Sequence, residues 1–147
     1  AKKNNMKVRV IGDISKLSSD IRENIEKLEE VSSYNTGLNF QVALNYGSRD
    51  EILRAIKKLI NDYENKQFKL DDIDEKLFEK YLDTRGIPDP DLLIRTSGEK
   101  RLSNYLLWQL AYTEFYFTDV LWPDFTKEEL MKAIEYYNSR DRRFGAI

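Results

Sequence analysis

The sequence predicts an α/β fold, a mainly parallel sheet flanked by helices. Two observations carry that expectation. Short apolar segments with strand character alternate along the chain with longer segments whose apolar residues recur at three- and four-residue spacing. The strands are separated by amphipathic helices, which implies right-handed βαβ crossovers and so parallel pairing.

The elements follow in chain order. Lys7 to Ile11 reads as a strand closed by Gly12-Asp13. A helix from Ser15 or Ser18 places Leu17, Ile21, Ile25 and Leu28 on one face, and Asn35-Thr36-Gly37 stops it. Leu38 to Tyr46 is a strand by strict alternation of Leu38, Phe40, Val42, Leu44 and Tyr46, and small Ala43 lets its other side be covered too. Gly47 turns the chain. Ser48 and Glu51 have the spacing of a capping box, and Ile52, Ala55, Ile56, Leu59, Ile60 and Tyr63 line the helix behind it. A polar linker, Glu64 to Lys69, leads to a weaker helix over Asp72 to Leu82, ended by Gly86-Ile87-Pro88-Asp89-Pro90. Leu92-Leu93-Ile94 is a continuous apolar run, predicting a central strand covered on both faces. Ser103 starts a predicted helix with Leu106, Leu107 and Leu110 inward, and Glu114 to Phe117 is a further short strand. Thr126 and Glu129 read as a second capping box, Phe125 and Leu130 as its hydrophobic staple, and Leu130, Ala133, Ile134 and Tyr137 as the last apolar stripe. The whole, 1–147, is expected to be a single domain.

Composition narrows the chemistry. The chain has 147 residues, 41% hydrophobic and 34% charged, as a folding sequence does. It has no histidine and no cysteine, which removes the commonest general base, thiolate metal sites and disulfides, and suits a reducing cytosol. A net charge of −2 weighs against a nucleic-acid surface, and against a soluble nucleotide- or RNA-binding domain. No run is apolar enough to span a bilayer, and no secretory signal core follows the N-terminus.

In parallel α/β folds ligands bind beyond the carboxyl ends of strands, the level of Asn45, Gly47, Arg95 and Ser97. The informative stretch is Asp91-Leu92-Leu93-Ile94-Arg95-Thr96-Ser97-Gly98-Glu99-Lys100-Arg101-Leu102-Ser103. Two guanidinium forks, a hydroxyl and the amides of a helix N-terminus fit a diphosphate. The competing reading pairs Arg95 and Arg101 with Asp91 or Glu99, and makes Ser103 a plain N-cap. Glu114, among Tyr112, Phe115, Tyr116 and Phe117, is a candidate Mg²⁺ ligand, or else one half of a salt bridge or an exposed edge position; alone it is a poor metal site. The aromatic stretch from Trp108 to Trp122 reads mostly as core.

These residues resemble the C-terminal signature of the cis-prenyltransferases, the undecaprenyl diphosphate synthase family. The resemblance runs from Asp91 through Glu114, continues through Phe115 to Phe125, and includes Asn45-Tyr46-Gly47-Ser48-Arg49 and the closing Arg143-Phe144-Gly145. It implies that Arg95, Arg101 and Ser103 hold the diphosphate of isopentenyl diphosphate, that Glu114 helps coordinate Mg²⁺, and that the tail with Arg143 and Gly145 reaches across a homodimer interface. Members add isopentenyl units with cis geometry to an allylic diphosphate; in bacteria the product is the lipid carrier for cell-wall sugars. A cytoplasmic location, with peripheral membrane contact through the lipid product, comes with the resemblance. The family also has an N-terminal part with an Asp-Gly-Asn-Gly-Arg type loop, the catalytic aspartate and a histidine. None of these is in this sequence, so the expected fold lacks its N-terminal strands and helices. No catalytic residue is assigned here, and the chain alone is expected to be inactive. A non-catalytic partner subunit of a prenyltransferase complex is the alternative.

Overall fold

The structure, a computed structural model, describes residues 4–140. They form two compact units, one ending at Ile87 and one beginning at Pro88. Both are α/β, with parallel strands and flanking helices.

In the first unit β1 (Lys7–Ile11) and β2 (Asn39–Ala43) pair in parallel, Lys7 beside Asn39 and Ile11 beside Ala43. The crossover is α1 (Ser19–Ser32), capped by Ser18. In a parallel pair alternate residues of a strand bond to opposite sides. The outward N–H groups of β1, and the Met6 carbonyl just before it, are taken by side chains from α1 and just beyond it. The Val10 N–H donates to Glu29 Oε1 at 2.7 Å, the Val8 N–H to Ser32 Oγ at 3.1 Å, and Asn35 Nδ2 donates to the Met6 carbonyl at 2.7 Å. Three helical residues rise about 4.5 Å while two strand residues rise about 6.6 Å, and side chains of different reach absorb the mismatch. The Gly12 N–H continues the series onto Asp83 Oδ2 at 3.0 Å. The outward N–H groups of β1 are therefore satisfied, whereas among the described residues nothing bonds to the outward backbone groups of Asn39, Gln41 or Ala43 in β2.

Gly12 is forced by its surroundings. Its φ is +119°, and a Cβ there would stand 2.2 Å from the Leu44 carbonyl oxygen.

Helix α2 (Ser48–Glu64) follows Gly47, which is the N-cap. The expected Ser48–Glu51 capping box is not formed. Glu51 is fully buried, and its carboxylate accepts the Asp83 N–H at 2.8 Å and the Tyr46 hydroxyl at 2.5 Å. Both of these donors lie outside the helix, and the N-cap position is held by Gly47. Of the predicted stripe, Ala55 and Leu59 are buried, while Ile56, Ile60 and Tyr63 are exposed. Phe40, Val42 and Leu44 of the β2 region are exposed as well. The pattern encodes more apolar surface than this unit covers. The weaker helix is shorter than expected. A 3₁₀ turn at Leu70–Asp72 precedes α3 (Glu75–Glu79), whose N-cap Asp74 accepts the Leu77 N–H at 2.7 Å.

In the second unit β3 (Leu92–Arg95) and β4 (Glu114–Phe117) run parallel, with Leu92 beside Glu114 and Arg95 beside Phe117. All residues of both strands are half-buried, so β3 is not the doubly covered strand that its composition suggested. No helix forms between the strands. Ser103, Asn104 and Leu106 have φ of +50°, +62° and +46°, and the segment is a chain of turns. Leu106 and Leu110 are still buried, but Leu107 is exposed. Helix α4 (Lys127–Asn138) begins after Thr126, whose side chain makes no cap bond; Glu129 instead pairs with Lys132, so the second capping box is also absent. Ala133 is fully buried and the Tyr136 ring lies 5.3 Å from that of Tyr116, docking α4 on β4.

Candidate anion site at the end of strand β3

Arg95 is the last residue of β3. The loop after it is held by backbone bonds to the exit of β4: Thr118 N–H to the Arg95 carbonyl at 3.0 Å, Gly98 N–H to the Thr118 carbonyl at 3.0 Å, and Ser97 N–H to the Val120 carbonyl at 2.9 Å. Ser97 and Gly98 both have positive φ, +65° and +69°, which folds the loop back sharply. The result is a cavity of about 360 Å³ walled by Leu93, Arg95, Ser97, Glu99, Leu102 and Tyr105, among others. Partial burial pushes the Tyr105 phenol above its usual value.

The turn chain returns Ser103 to Arg95, with Ser103 Oγ 3.4 Å from Arg95 Nη2. Those two candidates meet. Arg101 is engaged elsewhere: its guanidinium forms an ion pair with Glu99, the alternative that the sequence had left open. Both partners are exposed, Arg101 by 66% and Glu99 by 39% of the side chain. The expected helix N-terminus is not there to contribute its amides, because Ser103 opens a left-handed turn instead of a helix.

Glu114 starts β4, beside Leu92, so it lies at the opposite end of the strand pair from Arg95, about 10 Å along the strands. Its carboxylate is 3.4 Å from Arg140 Nε. No group of three or more potential ligating residues is found among the described residues. One carboxylate with a guanidinium beside it does not fit Mg²⁺, which requires several oxygen ligands. Arg143 and Gly145 lie outside the described residues. No helix among the described residues is long and apolar enough to cross a membrane.

Sequence reasoning missed a polar cluster in the first unit. Arg54 grips Asp83 with two bonds of 2.8 and 2.7 Å and also reaches Asp50 at 2.8 Å, while Asp83 accepts the Gly12 N–H. Asn45, at φ +46°, donates to the Asp13 carbonyl at 2.8 Å and so has a structural task at the same strand ends. The Arg54–Asp50 spacing is readable from sequence. The Asp83 partnership, spanning 29 residues, is not.

Residues 1–145 match the family model "Putative undecaprenyl diphosphate synthase". The isoprenyl transferase of Geobacillus kaustophilus is 54% identical over 143 residues, covering 97% of this chain and 56% of its own. That of Chlamydia trachomatis serovar D is 51% identical over 140 residues, covering 95% and 55%. This chain thus spans little more than half the length of those relatives. Among solved structures, the lavandulyl diphosphate synthase of Lavandula x intermedia in complex with dimethylallyl diphosphate superposes with a TM-score of 0.91 at 44% identity, covering 95% of this chain and 60% of that one. A "probable undecaprenyl diphosphate synthase" from Campylobacter jejuni gives 0.86 at 40% identity, covering 98% and 65%. With a family match over almost every residue and relatives at half identity, this chain belongs to the undecaprenyl diphosphate synthase family of isoprenyl transferases.

Proposed function

We propose that this chain is the isopentenyl-diphosphate-binding part of an isoprenyl transferase that extends an allylic diphosphate with cis stereochemistry. The observation that carries the reading is the approach of Ser103 Oγ to Arg95 Nη2 at the mouth of a strand-end cavity. A guanidinium fork with a hydroxyl beside it suits a diphosphate oxygen, and the apolar wall at Leu93 and Leu102 suits a five-carbon chain. The complex of a relative with dimethylallyl diphosphate supports a diphosphate ligand for the fold.

Arg101 joins by exchange. Its pair with Glu99 is solvent-exposed, and such pairs are worth about 0–1 kcal/mol. A multiply charged diphosphate competes with a single carboxylate for the guanidinium at little cost. In the reaction the substrate double bond attacks the allylic carbon, the C–O bond to diphosphate breaks, and a proton leaves the new chain. The role of this part is to hold and aim the nucleophile. The sequence has no histidine to serve as a base.

The remainder belongs to the longer protein. There Glu114 would give one oxygen to Mg²⁺ and residues outside this chain the others. Both units would form a single domain, and Arg143 and Gly145 would reach a second subunit in a cytoplasmic homodimer that touches the membrane through its product. The chain alone is inactive on this reading. The test is to assay product formation from isopentenyl and farnesyl diphosphates by the chain, with and without a polypeptide supplying the N-terminal part of a relative. Elongation only in the mixture is expected. Long products from the chain alone would overturn the reading, and failure of the folded mixture would favour a non-catalytic subunit.

A further inference from the structure

We propose that the first unit carries a second oxyanion site, at the amino-terminal ends of β1 and β2, built for a phosphate group that retains a proton. The strand register sets it up. Lys7 lies beside Asn39 and Arg9 beside Gln41, and these alternate positions share one sheet face. Arg85 and Gly86 complete a cavity of about 290 Å³ above them. Three cationic side chains and two amides line it, and no carboxylate does.

The nearest acids are committed. Glu29 Oε1 accepts the Val10 N–H, and Asp83 is held by Arg54 and the Gly12 N–H. Arg9 Nη1 donates to the Arg85 carbonyl at 2.9 Å, which fixes one guanidinium next to the residue that carries the other. Burial and then the Arg85 charge push Arg9 below the usual arginine value, with Glu29 and Asp83 opposing. No carboxylate lines the cavity beside these neighbouring like charges, and a bound anion would bring negative charge into it.

A further observation narrows the anion. Gln41, on the cavity wall, has a buried Oε1 with no hydrogen-bond partner among the described residues. Buried acceptors of this kind seek a donor. A phosphate near neutral pH has oxygens for the guanidiniums and the ammonium, and retains an O–H that Gln41 accepts once its amide oxygen turns into the cavity. Sulfate has the same shape and no O–H. The site lies in a different unit from Arg95, Arg101 and Ser103, and does not rest on their role.

The test is titration of the chain with inorganic phosphate and with sulfate, read by ³¹P line broadening, calorimetry and thermal shift. Saturable phosphate binding is expected, at least tenfold tighter than sulfate. In a chain that carries Arg95→Ala, so that the strand-end site does not contribute, Arg85→Gln and Lys7→Gln should each weaken it about tenfold or more, Gln41→Met should erase the preference over sulfate, and Lys127→Gln, on exposed α4 surface, should leave it unchanged. Lys7 is exposed at the strand start, so its variant carries the test if Arg85→Gln fails to fold. Equal binding of both anions, no binding at millimolar phosphate, or loss in Lys127→Gln alone would overturn the proposal.

Discussion

Arg54 and Asp83, 29 residues apart, are joined by two parallel N–H···O bonds of 2.8 and 2.7 Å. Through Asp83 the arginine on α2 is tied to the end of β1, because the same carboxylate takes the Gly12 N–H. Burial alone would raise the Asp83 carboxyl, but the Arg54 bonds and charge, with Gly12 and Lys58, bring it below its usual value. A depressed carboxyl stabilises the fold above its unfolded value and loses that contribution as pH falls through the folded one. Acid should therefore destabilise the chain below about pH 4. Arg54→Met should cost about 2 kcal/mol at neutral pH, less than for a fully buried pair because Arg54 keeps some exposure. It should also flatten the acid limb of stability measured by urea unfolding. The Asp13 carboxyl, held down to about 2 by the Ser15 hydroxyl and Lys16, is also depressed and adds to the acid limb, so the comparison belongs in an Asp13→Asn background.

The side-chain edge along β1 gives a second expectation. Glu29→Ala leaves the Val10 N–H without its acceptor and should cost about 1–3 kcal/mol. Glu29→Gln keeps an oxygen in place and should cost clearly less. Amide exchange at Val10 should accelerate in the first variant more than in the second.

Two glycines separate steric clash from backbone preference. Gly12→Ala drives a methyl onto the Leu44 carbonyl in addition to its positive φ, and should cost more than about 3 kcal/mol or prevent folding. Gly86 has φ +78° with nothing within 4 Å of a Cβ, so Gly86→Ala should cost only about 1–2 kcal/mol. Thermal unfolding of the two variants checks the order.

At the strand-end site, Glu99→Gln releases Arg101 from its ion pair. Affinity for isopentenyl diphosphate should rise severalfold, most clearly at low salt, where the competing pair is strongest. A fall in affinity would mean that Glu99 positions Arg101 for the ligand.

The strands were legible because apolar alternation and the Leu92-Leu93-Ile94 run need only local pattern, and α1, α2 and α4 because of their stripes. What failed turned on contacts and backbone turns that residue spacing does not encode. Ser48 with Glu51 has capping spacing, but Tyr46 and the Asp83 amide claim the carboxylate. Leu106, Leu107 and Leu110 have helical spacing, yet the backbone turns left-handed from Ser103, and two of the three are buried without a helix. Arg95 with Ser103 was readable from the motif; whether Arg101 would prefer Glu99 was a balance of two weak interactions that no spacing decides.

The most direct test is calorimetric titration of the chain with isopentenyl diphosphate, repeated with Arg95→Ala and Ser103→Ala after circular dichroism confirms that both variants fold. Saturable binding, weakened at least tenfold by Arg95→Ala and severalfold by Ser103→Ala, is the expected result. Absent binding, or an affinity that neither substitution moves, would contradict the assignment of the diphosphate site to the end of β3.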